Sequence, residues 1–335
     1  MNAVPSLRRW KENMSAILAK NEPIVLNEIR ADQQHLAMVQ AARAISDLGY
    51  DNLQLSIDTR EATCWCFMDP VDKPSYTHEL MNDISRMQGS ITRAFGNLPS
   101  QAAAPFSWFV MASAVPGIYN LGGDLGHFAE RIRSRDLEAM RHYGHVAVEA
   151  IHRNAVAFDA PIVTMALVQG DALGGGFEHA LSFDLIVAER SAKMGLPEIL
   201  FNMFPGMGAY SFLSRRMSRD KAEALILSGR IHTAEELYEM GVVDVLAEDG
   251  EGQAAVVDYI ARHNRKHNAH QAMYRARRRV NPVTLEELID VVDIWAEAAL
   301  NLTEADLRKM DRLCSAQNRR LASLQSQTPA LVAAE

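Results

Sequence analysis

One stretch constrains the fold more than any other: Ala166 to Glu198, ALVQGDALGGGFEHALSFDLIVAERSAKMGLPE. An apolar run rich in strand formers, Pro161 to Val168, meets a turn carrying Gly170, Gly174, Gly175 and Gly176. A helical pattern follows with Glu178 in its first turn. A second strand-like run, Leu185 to Ala188, then precedes another carboxylate, Glu198. Strands that alternate with glycine-bearing turns and helices imply α/β architecture. Glycines let a backbone approach a ligand closely, and a helix N-terminus presents unpaired N–H groups. Such a turn suits negative charge developing on oxygen, and nearby carboxylates can move protons.

The same device occurs twice. Phe106 to Ser113 (FSWFVMAS) is apolar throughout, as a strand buried on both faces requires. It runs on through Pro116-Gly117 to Asn120-Leu121-Gly122-Gly123-Asp124-Leu125 and then a helical pattern. Two such turns side by side can each give one N–H to the same oxygen. A lone glycine-rich turn needs no such role, because tight turning or close helix–strand packing accounts for it. Asp124 reads as a helix cap rather than a catalyst.

The rest of the chain divides around these devices. Residues 1–50 read as a helical arm: Leu7, Trp10, Met14, Ile17 and Leu18 recur at helical spacing, and a second helix covers about Asp32 to Leu48. Residues 51–250 hold the strands and the candidate site. A hairpin turns at Asp58-Thr59-Arg60-Glu61, and in its second strand Cys64 and Cys66 alternate with Trp65 and Phe67 as core thiols. Leu80, Ile84, Met87, Ile91 and Phe95 mark an amphipathic helix. Further helices fall at about Leu125–Arg133, Leu137–Val156, Ala209–Arg216 and Arg219–Leu227. Thr233 with Glu236 forms a capping box, and Val242 to Leu246 a last strand. Residues 251–325 are helical, with a second capping box at Thr284/Glu287, and residues 326–335 form a frayed tail.

Composition excludes several classes. Apolar residues make up 48% of the 335, which suits a packed globular protein, and a net charge of −8 argues against a general nucleic-acid binder. Three cysteines form neither a disulfide framework nor a metal-ligand pattern. His127, His145 and His179 lack metal-ligand spacing and read as packed or solvated, so no metal is expected. There is no membrane-length apolar run and no leader, so a cytoplasmic protein with no membrane partner is expected. No GxGxxG, GxxxxGK[ST], HExxH or GxSxG occurs, which removes the usual support for nicotinamide, ATP, zinc-hydrolase and serine-hydrolase readings.

Several separated motifs resemble the crotonase (enoyl-CoA hydratase/isomerase) superfamily. They are Ala166–Glu178, Gly195-Leu196-Pro197-Glu198, the Asn120–Asp124 turn, and Leu227-Ser228-Gly229-Arg230-Ile231-His232-Thr233-Ala234-Glu235 followed by Met240-Gly241-Val242-Val243. The resemblance covers roughly Asn52 to Leu313. Within it, Asn120–Leu125, Ala166–Gly170, Ala172–Glu178, Met194–Glu198, Phe204–Phe212 and Met310–Leu313 look similar to the bacterial diffusible-signal-factor synthases.

The resemblance implies a spiral core of repeated β-β-α units with a helical C-terminal region, to which the N-terminal arm is an addition. It implies an acyl thioester substrate, on acyl carrier protein or coenzyme A, and no other cofactor. The N–H groups of Gly123 and Gly175 would form an oxyanion hole, with Glu178 and Glu198 as the acid–base pair. By analogy with hydratases, Glu198 would serve Cα and Glu178 the hydroxyl. The synthases of this group remove water from a 3-hydroxyacyl carrier protein and hydrolyse the cis-2-enoyl thioester to a free fatty acid signal. Trimers or pairs of trimers are also implied. A simple hydratase, isomerase or acyl-CoA hydrolase is the alternative enzyme, and a partner-binding regulator, on a signalling receptor for example, the alternative of another class.

Two expectations concern binding. The acyl chain needs an apolar tunnel, for which Leu121, Gly122, Leu137, Met140, Met194, Leu200, Met203, Met207 and Trp295 are candidates. The basic run Arg262, Arg265, Lys266, Arg275, Arg277, Arg278 and Arg279 is either a solvated helical face or a dock for an acidic carrier or phosphates.

Overall fold

The structure is a computed structural model that describes residues 33–59, 61–98 and 104–326. The first helix expected in the arm and the expected frayed tail lie outside these residues, apart from Ser326, the last residue of the final helix.

In chain order, α1 (Gln33–Ser46) leads to the hairpin β1 (Leu53–Asp58) and β2 (Thr63–Met68), then α2 (His78–Gly96) and β3 (Trp108–Ser113). Next come β4 (Ile118–Asn120), α3 (Leu125–Arg133), α4 (Leu137–Ala155), β5 (Val163–Val168), β6 (Asp171–Leu173) and α5 (Gly175–Leu181). After β7 (Leu185–Glu189) and β8 (Lys193–Gly195), a 3-10 turn spans Pro197–Phe201. Then follow α6 (Ala209–Arg216), α7 (Arg219–Ser228), β9 (Ile231–Thr233), α8 (Ala234–Glu239) and β10 (Val245–Ala247). The C-terminal region is helical: α9 (Gly252–His263), α10 (His267–Val280), α11 (Leu285–Ala299) and α12 (Glu304–Ser326).

Among the described residues the strands form two sheets. Six lie in the order β1-β2-β3-β5-β7-β10, parallel except for the β1–β2 hairpin. Four short strands form a second sheet, β4-β6-β8-β9. The large sheet is covered on both faces. Cys64, Cys66, Phe109 and Met111 point into the main core, while Trp65, Phe67, Trp108 and Val110 pack with Val256, Ile260 and Tyr274 from α9 and α10. Two apolar faces explain why β3 is apolar at every position.

The helix caps follow local rules. Thr77 caps α2 by accepting from Leu80 N, Asp124 caps α3 through Gly126 and His127 N, and Thr233 with Glu236 forms a reciprocal box at α8. The box expected at Thr284 is only half present. Thr284 accepts from Glu287 N, but the Glu287 carboxylate is taken by a bidentate pair with Arg215 at 2.7 and 2.9 Å. The strand expected at Val242–Leu246 begins at Val245, because the Val242 and Val243 amides are committed to Leu237 O at the end of α8. The second sheet was not anticipated: its three-residue strands are too short for a period-two pattern to register.

Candidate active site

The two glycine turns meet. Three large-sheet strands each feed a short strand of the small sheet: β3 into β4, β5 into β6 and β7 into β8. Pairing of β4 with β6 brings their ends together. A Cβ placed on Gly175 would lie 3.5 Å from the Gly123 nitrogen and 3.5 Å from the Gly122 Cα.

The orientation of each N–H follows from the carbonyl across its peptide. In a planar trans peptide the C=O and N–H point in opposite directions. The Gly174 carbonyl accepts from Phe177 N at 2.9 Å and Glu178 N at 3.0 Å, so it is drawn into the first turn of α5. The Gly175 N–H therefore points out of the helix end. The Gly122 carbonyl accepts from Tyr76 N at 2.8 Å, and Gly122 N donates to Asn120 Oδ1 at 2.8 Å. The Gly123 N–H is thus turned away from Tyr76. Among the described residues no protein acceptor takes either proton.

Both glutamates face the same space. Glu178 is buried, and its Oε1 accepts from Ala209 N at 2.9 Å. Burial first, and the negative charge of Glu198 second, hold its proton affinity well above the ordinary carboxylate range. Glu198 is presented by the 3-10 turn. Its Oε1 fits only because Gly174 has no side chain: a Cβ there would collide with it. Its Oε2 is shielded from solvent and has no partner among the described residues. Burial pushes the Glu198 carboxyl up to about 7.

These groups line a cavity of about 290 Å³ together with Gly122, Gly123, Gly174 and Gly175. Its remaining wall is mostly apolar: Leu121, Phe128, Met140, Leu200, Met203, Met207, Val292 and Trp295 all contribute. Met194 does not line it. It sits in the middle of β8, fully buried between β6 and β9, and is core filler. Leu137 also lies outside the cavity wall, packed at the edge of the main core at the start of α4.

Several further cavity residues were not among the sequence candidates for binding. Tyr143 and Gly144 come from α4, and Met310, Leu313, Ala316, Gln317 and Arg320 from α12. Gln317 Nε2 donates to Leu121 O at 3.3 Å, and Arg320 pairs with the buried Asp171 at 2.7 Å. These contacts lay α12 across the cavity, and nothing in local spacing announces a contact between residues about 150 or more apart.

The basic run divides. Arg277 and Arg278 bind the buried Asp184 at 3.1 and 2.7 Å beside a second cavity of about 330 Å³, which Arg215 and Arg216 also line. Asp184 also accepts from Thr164, so these two arginines neutralise a buried carboxylate rather than lying wholly free on a solvated face. Arg275 and Arg279 are exposed. Among the described residues no group of three or more His, Cys, Asp or Glu side chains is arranged to hold a metal. His179 is buried with Nδ1 at 3.0 Å from Tyr119 Oη, and His145 pairs with Asp293 at 2.8 Å. No helix among the described residues is long and apolar enough to cross a membrane.

Residues 101–308, more than half of the chain, match the family model of enoyl-CoA hydratase/isomerase. The chain belongs to the enoyl-CoA hydratase/isomerase family. Among curated members, the fatty acid oxidation complex subunit alpha of Pseudomonas aeruginosa is 32% identical over 153 residues, covering 46% of this chain. The chain spans only 21% of that subunit's length. Among solved structures, enoyl-CoA hydratase from Bacillus halodurans aligns with a TM-score of 0.64 at 21% identity, covering 78% of this chain and 98% of that one. Pseudomonas aeruginosa DspI aligns with a TM-score of 0.56 at 22% identity, covering 70% and 84%. At these identities the structural likenesses establish the fold, which is the crotonase fold with its helical C-terminal region.

Proposed function

We propose that this family member dehydrates a 3-hydroxyacyl thioester to a cis-2-enoyl thioester and then hydrolyses it, releasing an unsaturated fatty acid signal of the diffusible-signal-factor type. One observation carries the reading: two unengaged backbone N–H groups and two carboxyls of raised proton affinity converge in one apolar cavity.

The thioester oxygen sits between the Gly123 and Gly175 amides, where negative charge builds as the Cα proton leaves. One glutamate, assigned as Glu198, takes that proton as carboxylate. The other, Glu178, is held protonated by burial and by its neighbour's charge, and gives its proton to the departing 3-hydroxyl. Water left between the two carboxyls can then be activated for attack on the thioester carbon. The apolar wall receives the acyl chain, and the thioester itself, on acyl carrier protein or coenzyme A, brings the only carrier group the reaction uses. The protein is proposed to assemble as a trimer or a pair of trimers and to act in the cytoplasm. The motif likeness to the signal synthases quoted above supports the finer reading over a general one.

A second reading fits the same geometry. The curated relatives are named for fatty acid oxidation, and a reversible hydratase or isomerase acting on acyl-CoA needs the same oxyanion hole and carboxyls. Incubation with 3-hydroxyacyl carrier protein and with 3-hydroxyacyl-CoA separates the two. Free cis-2-enoic acid supports the synthase, and unhydrolysed trans-2-enoyl-CoA the hydratase. Activity persisting in a Glu178→Ala/Glu198→Ala variant would remove this two-carboxyl mechanism, whereas partner binding by a regulator on this scaffold should survive the double substitution.

A further inference from the structure

We infer that Tyr143 is a positioning residue for the oxyanion hole, its hydroxyl setting the direction of the Gly123 N–H through the Tyr76 backbone. The inference rests on the thioester reading above. The segment ending at Tyr76 pairs like a strand with the glycine turn: Leu121 N donates to Pro74 O at 2.7 Å and Tyr76 N to Gly122 O at 2.8 Å. The second of these bonds fixes the 122–123 peptide, and so the Gly123 N–H across it. Tyr76 is in turn held by Tyr143, whose buried hydroxyl donates to Tyr76 O at 2.5 Å. A Cβ on Gly123 would lie 3.6 Å from that same hydroxyl, and the Asp124 amide faces it too. One oxygen of α4 thus holds the turn from both sides of Gly123.

The ring of Tyr143 is held independently of its hydroxyl. Phe128 packs edge-on against it at 4.8 Å, and His78 and His127 flank it at 5.5 and 5.9 Å. Removing only the hydroxyl therefore leaves the aromatic packing in place. Without it, Tyr76 O is buried with one partner fewer, and the peptide that aims Gly123 can rotate. Misdirecting one of two donors weakens transition-state stabilisation while leaving acyl binding by the apolar wall untouched.

The test uses Tyr143→Phe. Expected is a kcat lowered about ten- to hundredfold with KM unchanged. The direct readout is the infrared carbonyl band of a bound ¹³C-carbonyl acyl-CoA, in a Glu198→Gln background that keeps the ester from turning over. Hydrogen bonding in the hole lowers the band from its solution frequency, and in Tyr143→Phe it should return most of the way. A band that stays lowered in Tyr143→Phe, with kcat within about twofold of wild type, overturns the inference. A band not lowered in the Tyr143-containing protein instead sinks the thioester reading itself, and this inference with it. Should Tyr143→Phe fail to fold, 3,5-difluorotyrosine at position 143 keeps ring and hydroxyl while changing the strength of the donor. The band must then still differ from that of the unmodified side chain, and an identical band overturns the inference.

Discussion

Glu198 raises the proton affinity of Glu178: the two carboxyls share one apolar cavity, and the charge of the first adds to the burial that already favours the protonated form of the second. A pair arranged this way holds one proton more readily than none or two, which is what an acid and a base acting on adjacent carbons require.

The first consequence is a pH dependence of stability opposite to that of salt-bridged carboxylates. Glu198 titrates near 7 in the folded protein against an ordinary value of 4.5, so the folded state binds more protons than the unfolded one between these limits. Its contribution is therefore full below about pH 4.5 and is lost as pH rises through about 7. Relative to Glu198→Gln, the wild type should lose roughly 3 kcal/mol between about pH 5 and about pH 8 in chemical denaturation. The same stability difference between the two proteins at both pH values would show that the carboxyl is not perturbed.

Gly174 makes room for Glu198. Its φ is 52°, and a side chain there would strike Glu198 Oε1. Gly174→Ala should lower kcat on the order of a hundredfold by displacing the carboxyl, and cost about 1–3 kcal/mol in backbone strain. Gly96→Ala, where a Cβ meets nothing within 4 Å, should leave both near wild type. Full activity in Gly174→Ala would mean that Glu198 is not needed in its observed place.

The basic run can be separated into structural and exposed members. Arg278→Met should destabilise the fold by about 2 kcal/mol, because Asp184 is 3% exposed and loses one of its two cationic partners. Arg275→Glu with Arg279→Glu should leave the melting temperature unchanged. If these residues dock an acidic carrier, that double variant raises KM for carrier-bound substrate but not for a short thioester. Equal effects on both substrates would end the docking proposal.

Much of the core was legible locally. The stripe at Leu80, Ile84, Met87 and Ile91 does lie on a helix with these residues buried, because a 3.6-residue period records which face is covered. The apolar run at 106–113 gave a strand buried on both faces for the same kind of reason. Met194 misled: a methionine near a signature motif looks the same in sequence whether it lines a cavity or fills the core. The pairing of Arg277 and Arg278 with Asp184 was not legible, because a charge run says nothing of a buried carboxylate over 90 residues away.

The chemistry on offer is written locally along the chain. Turns built on Gly122-Gly123 and Gly174-Gly175, each after an apolar strand, and the carboxylates Glu178 and Glu198 are local facts, readable because backbone freedom and residue type are local properties. That these groups converge is a property of the assembled fold. Pairing of β4 with β6 sets the two amides side by side, α12 closes over them from the far end of the chain, and Tyr143 reaches Tyr76 from α4. Convergence depends on contacts between segments remote in sequence, and the shared burial that lifts both carboxyls exists only once those contacts are made.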